Sequence, residues 1–394
     1  MRKSSAIKIS KQYKNRIDFG YLWIFSNEIN KDDAPKDISY VEVYDDKNRF
    51  LCKGVYNPFS LIAIRVLSFL KEEKIDKEFF INRIKRAVEY RKNLGIDIRY
   101  CRLSYGESDF LPGLVVDRYG DVIVIQFYSY AMEIFKEEIV AALIEIFSPL
   151  CILIRNDFYQ RDIEKAPQDK GIIYSKDKVT DNLVKINHLN CVFLVNVFDG
   201  QKTGFYYDQL LNREYISKIV KDKEVLDLCC YTGGFSVIAG VAGAKRVVGV
   251  DSSSYAIELA KENAKLNNLT KNVEFIEMDV DKFLKENTEK FDVIIYDPPS
   301  FVRSKKDKKS AIKKYSEIVK NLLKKTKKEG VFNFSVCARH IEDYEVVDIV
   351  INSLLKNKQK GFIIYTGTQS LDHPIYAPMI AETKYLKFIS VLME

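Results

Sequence analysis

Four carboxylates, Asp227, Asp251, Asp279 and Asp297, recur within or at the carboxyl ends of what the hydrophobic pattern reads as four successive strands. An open α/β sheet binds its ligands beyond those ends, so acids repeated there can grip the hydroxyl and amino groups of a small polar ligand. Any one of them could instead cap a helix, and Asp279, which precedes a short helical pattern, suits that role. A further group, Cys337 in Ser335-Val336-Cys337-Ala338-Arg339-His340, follows the next strand pattern just before a helical one. Beside two side chains that can carry positive charge, and near a helix start, a thiol is expected to favour its nucleophilic thiolate form.

The turn between the first two acids narrows the ligand. Val225, Leu226 and Leu228 read as a buried strand, Gly233 and Gly234 as a tight turn, and residues 235 to 242 as a packed helix. The glycines lack the Gly-x-Gly-x-x-Gly spacing that cradles a pyrophosphate, yet Asp251 ends the next strand twenty residues after Tyr231, where an acid suits a ribose diol. A ribose acid without a pyrophosphate cradle implies a nucleoside-like cofactor, of which S-adenosylmethionine is the common one. Asp227 is then expected near its methionine end, Asp251 at the ribose hydroxyls, Asp279 at the adenine amino group, and Tyr231, Thr232 and Gly233 along the turn. Asp297-Pro298-Pro299 is a rigid loop whose acceptors can face the amino group of a base, so Asp297 counts toward both cofactor binding and catalysis.

Strands and helices alternate from Leu183 onward, which predicts a doubly wound, mostly parallel sheet. Its last two strands, 361 to 365 and 385 to 392, are separated by a loop alone and should form an antiparallel hairpin at one edge. Before that, residues 1 to 70 show short apolar stretches between polar turns, the pattern of a small β-barrel. Residues 71 to 95 read as a long amphipathic helix leading into an α+β unit that reaches about residue 185, where Arg118 is expected to pair with Asp117 or Asp121. Within the barrel, Trp23 and Phe25 are expected in the core. A basic run, Arg303, Lys305, Lys306, Lys308, Lys309, Lys313 and Lys314, follows the Asp-Pro-Pro loop and fits a solvated helix face or an RNA contact equally.

Composition sets the outer limits. A chain of 394 residues implies two or three domains. No window reaches the length of a membrane span, which predicts a cytoplasmic protein with no membrane partner. Seven scattered cysteines argue for reduced thiols, and neither they nor the three histidines have metal-ligand spacing, so no metal is expected. The net charge of +7 favours a polyanionic partner.

The motifs Gly20-Tyr21-Leu22-Trp23-Ile24-Phe25-Ser26, Glu107 to Asp121, Gln201-Lys202-Thr203-Gly204, Asp208-Gln209, Asn212-Arg213, Asp372-His373-Pro374 and Glu382-Thr383-Lys384-Tyr385-Leu386-Lys387 together resemble the three-domain 23S ribosomal RNA (cytosine-5) methyltransferase family. The first lacks that family's proline before the tryptophan, where Leu22 stands, and Val336 and Ala338 replace the serines that usually flank its cysteine. The resemblance implies a PUA domain at 1–70, a central α+β domain at 71–185 and a class I, Rossmann-like methyltransferase domain at 186–394. It also implies S-adenosylmethionine as cofactor, large-subunit ribosomal RNA as partner, Lys202 and Thr203 as part of the cofactor pocket, and Cys337 as the nucleophile.

A thiolate added to carbon 6 of cytosine makes carbon 5 nucleophilic toward a methyl sulfonium, and elimination releases the product. The Asp-Pro-Pro loop has no second cysteine, so the base that takes the carbon 5 proton is not named by the sequence. The other readings are methylation of an exocyclic amine of guanine or adenine through Asp297, and a non-catalytic RNA-binding protein with a degenerate cofactor fold. Oligomeric state is open, a homodimer included.

Overall fold

The computed structural model describes residues 5–10, 14–30, 34–177, 182–302 and 304–394. Contacts divide the chain into two compact units, Met1–Val184 with Val195–Phe205 and Leu371–Thr383, and Lys185–Leu194 with Tyr206–Ser370 and Lys384–Glu394.

The first unit holds two five-stranded sheets. One is made by β1 (Ser5–Lys8), β2 (Trp23–Ile24), β3 (Ser39–Tyr44), β4 (Phe50–Tyr56) and β5 (Ile64–Ser68) in the order β1-β3-β4-β5-β2. Alternate side chains of β3 are buried, and Val41 and Val43 join Ile7, Ile24, Cys52, Ile64 and Val66 in one apolar cluster. The two-residue β2 was not foreseen, because a strand that short carries no periodicity. Trp23 is half-buried against this cluster, and its indole N–H donates to Glu107 Oε1 at 2.8 Å, so it is a core edge with one polar contact.

The other sheet comprises β6 (Tyr100–Tyr105), β7 (Leu114–Tyr119), β8 (Val122–Phe127), β9 (Cys151–Arg155) and β10 (Lys170–Ser175), in the order β10-β9-β8-β7-β6. Helices Lys77–Asn93 and Lys136–Phe147 pack on each other, and Phe80, Ile84, Ile139 and Leu143 share one cluster with Leu103, Val116 and Ile125 of the sheet. The first of these helices starts six residues later than its lysine-rich pattern suggests. Asp76 caps it by accepting from the Phe79 amide at 3.1 Å, which satisfies a donor that the helix cannot. Arg91 is fully buried and forks onto both oxygens of Asp109 at 3.0 and 2.8 Å. Asp117 does not serve Arg118: its carboxylate takes Arg102 at 2.7 and 2.8 Å, while Arg118 Nε donates to the Gly120 carbonyl.

Strands β11 (Leu183–His188) and β12 (Cys191–Asn196) form a two-stranded ribbon. The second unit is built on a seven-stranded sheet of β13 (Glu224–Leu228), β14 (Arg246–Asp251), β15 (Val273–Glu277), β16 (Phe291–Tyr296), β17 (Thr326–Cys337), β18 (Gly361–Thr368) and β19 (Leu386–Met393). The order is β15-β14-β13-β16-β17-β19-β18, with β19 antiparallel to both neighbours and the remaining pairs parallel. The expected antiparallel pair is present, with β18 as the edge and β19 inserted beside β17, but its connection is not a loop alone, since it carries the short helices Ala377–Met379 and Ile380–Thr383. Leu226, Leu228, Ile294 and Phe334 of the strands pack with Tyr315, Val319 and Leu322 of helix Lys308–Lys325 and with Val346 and Ile349 of helix Asp343–Asn357. No described helix is long and apolar enough to cross a membrane.

Candidate active site

Register aligns the strand ends. Val250, Leu228, Tyr296, Phe334 and Ile389 are paired across neighbouring strands in one row. One residue beyond that row stand Cys229, Asp251, Asp297 and Ser335, so the parallel pairing that the apolar runs permit is what gathers groups from four strands.

Each acid has a distinct environment. Asp227 lies one residue inside the row, is fully buried, and accepts from the amide and hydroxyl of Ser236 at 3.0 and 2.6 Å, both on Oδ2. Burial pushes its pKa up to about 7, with the nearby Asp297 adding to the rise and the Ser236 hydrogen bonds opposing it. Its other oxygen, Oδ1, is buried without a hydrogen-bond partner. A buried acceptor left open in this way fits the charged methionine end of a nucleoside cofactor. Asp251 is half-buried and holds the turn, accepting from the amides of Tyr231 at 2.9 Å and Ser253 at 3.0 Å. Asp279 is exposed and caps helix Val280–Glu286 through the amides of Asp281 and Lys282, the capping role open to it from the sequence.

The turn after β13 is strained into shape. Cys229, Tyr231 and Gly233 all have positive φ (61°, 50° and 81°), and Gly233 closes onto the Cys230 carbonyl at 2.9 Å. Only at Gly233 does glycine relieve the left-handed cost. Gly234 lets a buried arginine approach: a Cβ there would come within 2.7 Å of Arg213. Arg213 donates to the Tyr206 carbonyl at 2.8 Å and meets His188 at 3.3 Å. Burial lowers its pKa to about 10, opposed by Asp208, Asp297 and Asp227.

The Asp-Pro-Pro loop is pinned from the side. The Tyr315 hydroxyl donates to the Pro299 carbonyl at 3.4 Å and accepts from the Phe301 amide at 3.2 Å, and the Phe301 ring lies 4.7 Å from the Tyr315 ring. Asp297 itself accepts from Gln209 Nε2 at 3.0 Å. Lys314 of the basic run lies over the Phe301 ring and Lys308 pairs with Glu345. Arg303 and the Lys305 side chain lie outside the described residues.

Cys337 is the last residue of β17, not a residue beyond it, and is half-buried. Strand β19 pairs β17 up to Cys337 and Leu386, which carries the thiol three residues, about 10 Å, past the aligned row. The following helix begins only at Asp343, six residues on, and not directly after the thiol. Arg339 is exposed; the buried cation packed next to this strand end is Lys387, which donates to the Ala338 carbonyl at 2.8 Å. All seven cysteines are free thiols, and the described residues contain no cluster fit to hold a metal.

The structure therefore brings together Asp227, Tyr231, Thr232, Gly233, Asp251, Asp297 and Cys337 at one end of one sheet. Lys202 and Thr203 belong to the first unit, where the buried Thr203 hydroxyl bonds Asp117 at 2.5 Å and Tyr119 at 2.7 Å. Gln209, Arg213 and Ser335 were missed as site groups. The first two stood in the sequence only as matched motifs, and nothing in spacing says that a loop 88 residues before Asp297 bonds its carboxylate.

This sheet order, with acids at the ends of its parallel strands, is that of a Rossmann-like class I methyltransferase. A PUA-like domain model matches residues 7–69, and a methyltransferase domain model matches residues 219–373. The ribosomal RNA large subunit methyltransferase I of Tolumonas auensis is 35% identical over 396 residues, covering 98% of this chain and 99% of its own. That of Aeromonas hydrophila is 36% identical over 395 residues, with the same coverage. A solved Streptococcus mutans structure, provisionally described as a SAM-dependent methyltransferase, covers 98% of this chain and 100% of its own at TM-score 0.82 and 22% identity, a likeness of fold. The chain belongs to the family of the ribosomal RNA large subunit methyltransferase I proteins.

Proposed function

We propose that the protein methylates carbon 5 of a cytosine in large-subunit ribosomal RNA, with S-adenosylmethionine as methyl donor and Cys337 as nucleophile. The observation that carries this reading is the placement of a half-buried thiol at the tip of β17, two residues along the strand beyond Ser335, which is level with Asp251 and Asp297. Family membership supports the RNA and the cofactor; the relatives are named for large-subunit ribosomal RNA, and a structural neighbour was solved with SAH. The bound cofactor would supply an electrophilic methyl group on its sulfonium.

In this reading Asp227, Tyr231, Thr232, Gly233, Asp251, Asp279 and Asp297 hold the cofactor, and Lys202 and Thr203 stay in the set on the family resemblance alone. Cys337 Sγ, as thiolate, bonds to carbon 6, carbon 5 takes the methyl group with S-adenosylhomocysteine as the leaving group, and a general base takes the carbon 5 proton as the carbon–sulfur bond breaks and the thiolate is released. The division into 1–70, 71–185 and 186–394 belongs to the same proposal, each part being centred on one large sheet, with the first two positioning RNA. A homodimer is also part of it, since β18 leaves an edge of the seven-stranded sheet open and exposes Phe362, Ile363 and Ile364.

Mass mapping of modified nucleosides in ribosomal RNA from cells lacking the gene tests the proposal. One 5-methylcytosine of the large subunit should disappear and return with the purified enzyme. Loss of a methylated amine instead would make Asp297-directed amine methylation the function.

A further inference from the structure

The Asp297 carboxylate is held by a buried amide relay. Gln209 closes the short turn Tyr207–Gln209 ahead of helix Leu210–Ser217 and is 2% exposed, and Asn212, one turn on, is fully buried. Asn212 Nδ2 donates to Gln209 Oε1 at 2.7 Å, which leaves the NH2 of Gln209 to face the other way. That group donates to Asp297 Oδ2 at 3.0 Å and to Ser335 Oγ at 2.9 Å. Strand β18 packs closely on Asn212: a Cβ on Gly367 would come within 2.1 Å of Asn212 Oδ1. An amide whose oxygen is already engaged can only donate to Asp297, and a carboxylate receiving that donor is held as an acceptor.

We propose that Gln209, oriented by Asn212, is the positioning residue that keeps Asp297 an acceptor toward the target base, and that this selects cytosine over uracil. Cytosine presents an amino donor at carbon 4, where uracil presents a carbonyl. An ionised carboxylate can bond the first and repels the second. The inference rests on the function proposed above.

Replacing the amide with a carboxyl reverses this logic. In Gln209→Glu two carboxyls about 3 Å apart cannot both ionise, so the pair holds a proton to higher pH and Asp297 becomes a donor for part of the time. The charged and titratable groups around Asp297 include Arg213 and Tyr206 before the sheet, Asp227 and Cys229 from β13 and its turn, Tyr315 from helix Lys308–Lys325, and Cys337 of β17, which faces the same Tyr206 and Tyr315. They are the same in both proteins, so a difference in pH profile reports the exchanged pair.

The test uses the full chain and a transcript of the ribosomal RNA segment containing the mapped target, made with cytosine or uracil there. Gln209→Glu should shift the acid limb of the kcat profile upward by at least one pH unit and lower the cytosine-to-uracil ratio of kcat/KM at least tenfold. Gln209→Met, similar in shape but without hydrogen bonds, should lower kcat at least tenfold with a smaller rise in KM for S-adenosylmethionine, since Asp297 is only one of the groups proposed to hold the cofactor. The proposal is overturned if both variants keep the wild-type acid limb and base ratio. It is equally overturned if both lose S-adenosylmethionine binding and thermal stability, since Gln209 would then serve the fold. A wild-type enzyme that puts no methyl on carbon 5 refutes the underlying function and not the relay alone.

Discussion

Ser236 gives Asp227 two hydrogen bonds on a single oxygen, from its amide at 3.0 Å and its hydroxyl at 2.6 Å, while the second oxygen lies buried without a partner. Helix Gly234–Val241 is thereby tied back to the strand that precedes it. The arrangement keeps a carboxyl at the centre of the unit whose pKa burial raises to about 7.

That raised pKa makes stability pH-dependent. The folded carboxyl keeps its proton where the unfolded one, near 3.8, has lost it. This group therefore opposes folding increasingly as pH rises from about 4 to about 7, at about 1.4 kcal/mol per pH unit at most. Asp227→Asn should flatten the dependence, gaining stability on the wild type between those pH values. Urea denaturation of both proteins across the range checks it, and parallel curves would show that Asp227 ionises normally.

Binding of a cation beside Asp227 should release a proton. S-adenosylmethionine carries an ammonium and a sulfonium, and either would favour the ionised carboxylate. Calorimetric titrations near pH 7 in buffers of different ionisation enthalpy should give different apparent heats for the wild type and equal ones for Asp227→Asn. Equal heats for the wild type would separate Asp227 from the cofactor.

Asp251 both braces the turn, through the amides of Tyr231 and Ser253, and is proposed to take the ribose diol. Asp251→Ala should lose about 1.5 to 3 kcal/mol of binding, roughly one to two decades in affinity for S-adenosylmethionine. Calorimetry on the folded variant decides it, because undiminished affinity would place the ribose elsewhere.

Cys337→Ala should abolish methyl transfer while leaving S-adenosylmethionine affinity and thermal stability unchanged. RNA with 5-fluorocytosine at the target should trap the wild-type enzyme as a thiol adduct visible by mass spectrometry, since fluorine cannot leave as a proton does. Turnover by the alanine variant at a comparable rate would end the covalent mechanism.

The exposed edge of β18 should govern self-association. Its residues 361 to 368 carry no charge, and Phe362 and Ile364 are 60% and 46% exposed, so no charge on the strand opposes edge-to-edge pairing, although its register shifts between Ile363 and Tyr365. Phe362→Lys with Ile364→Lys should turn a dimer into a monomer in sedimentation with cofactor affinity intact. An unchanged association state would move the interface away from this strand.

Much of the second unit could be read from local pattern. Apolar runs such as Phe291–Tyr296 specify buried parallel strands, and the acids that follow them fall at the ligand end by chain direction alone. The alternation and the preference for right-handed crossovers imply a doubly wound, mostly parallel sheet, while the strand order, with β19 inserted between β17 and β18, and the aligned row come from the folded chain. Edges of the pattern were less legible: β2 is two residues long, and β6 and β10 have little alternation.

What only the folded chain decides is pairing between distant side chains. Asp117 chose Arg102 over the adjacent Arg118, because a buried carboxylate is satisfied by the donor the sheet places against it and not by the nearest in sequence. Residues 195–205 and 371–383 group with the first unit although they are flanked by the second, a division that no linear boundary expresses. The height of Cys337 depends on β19 pairing with β17 to its last residue. The acceptor state of Asp297 depends on two amides that are matched motifs in the sequence and a single oriented chain of hydrogen bonds in the structure, because hydrogen-bond direction is fixed only when every partner is in place.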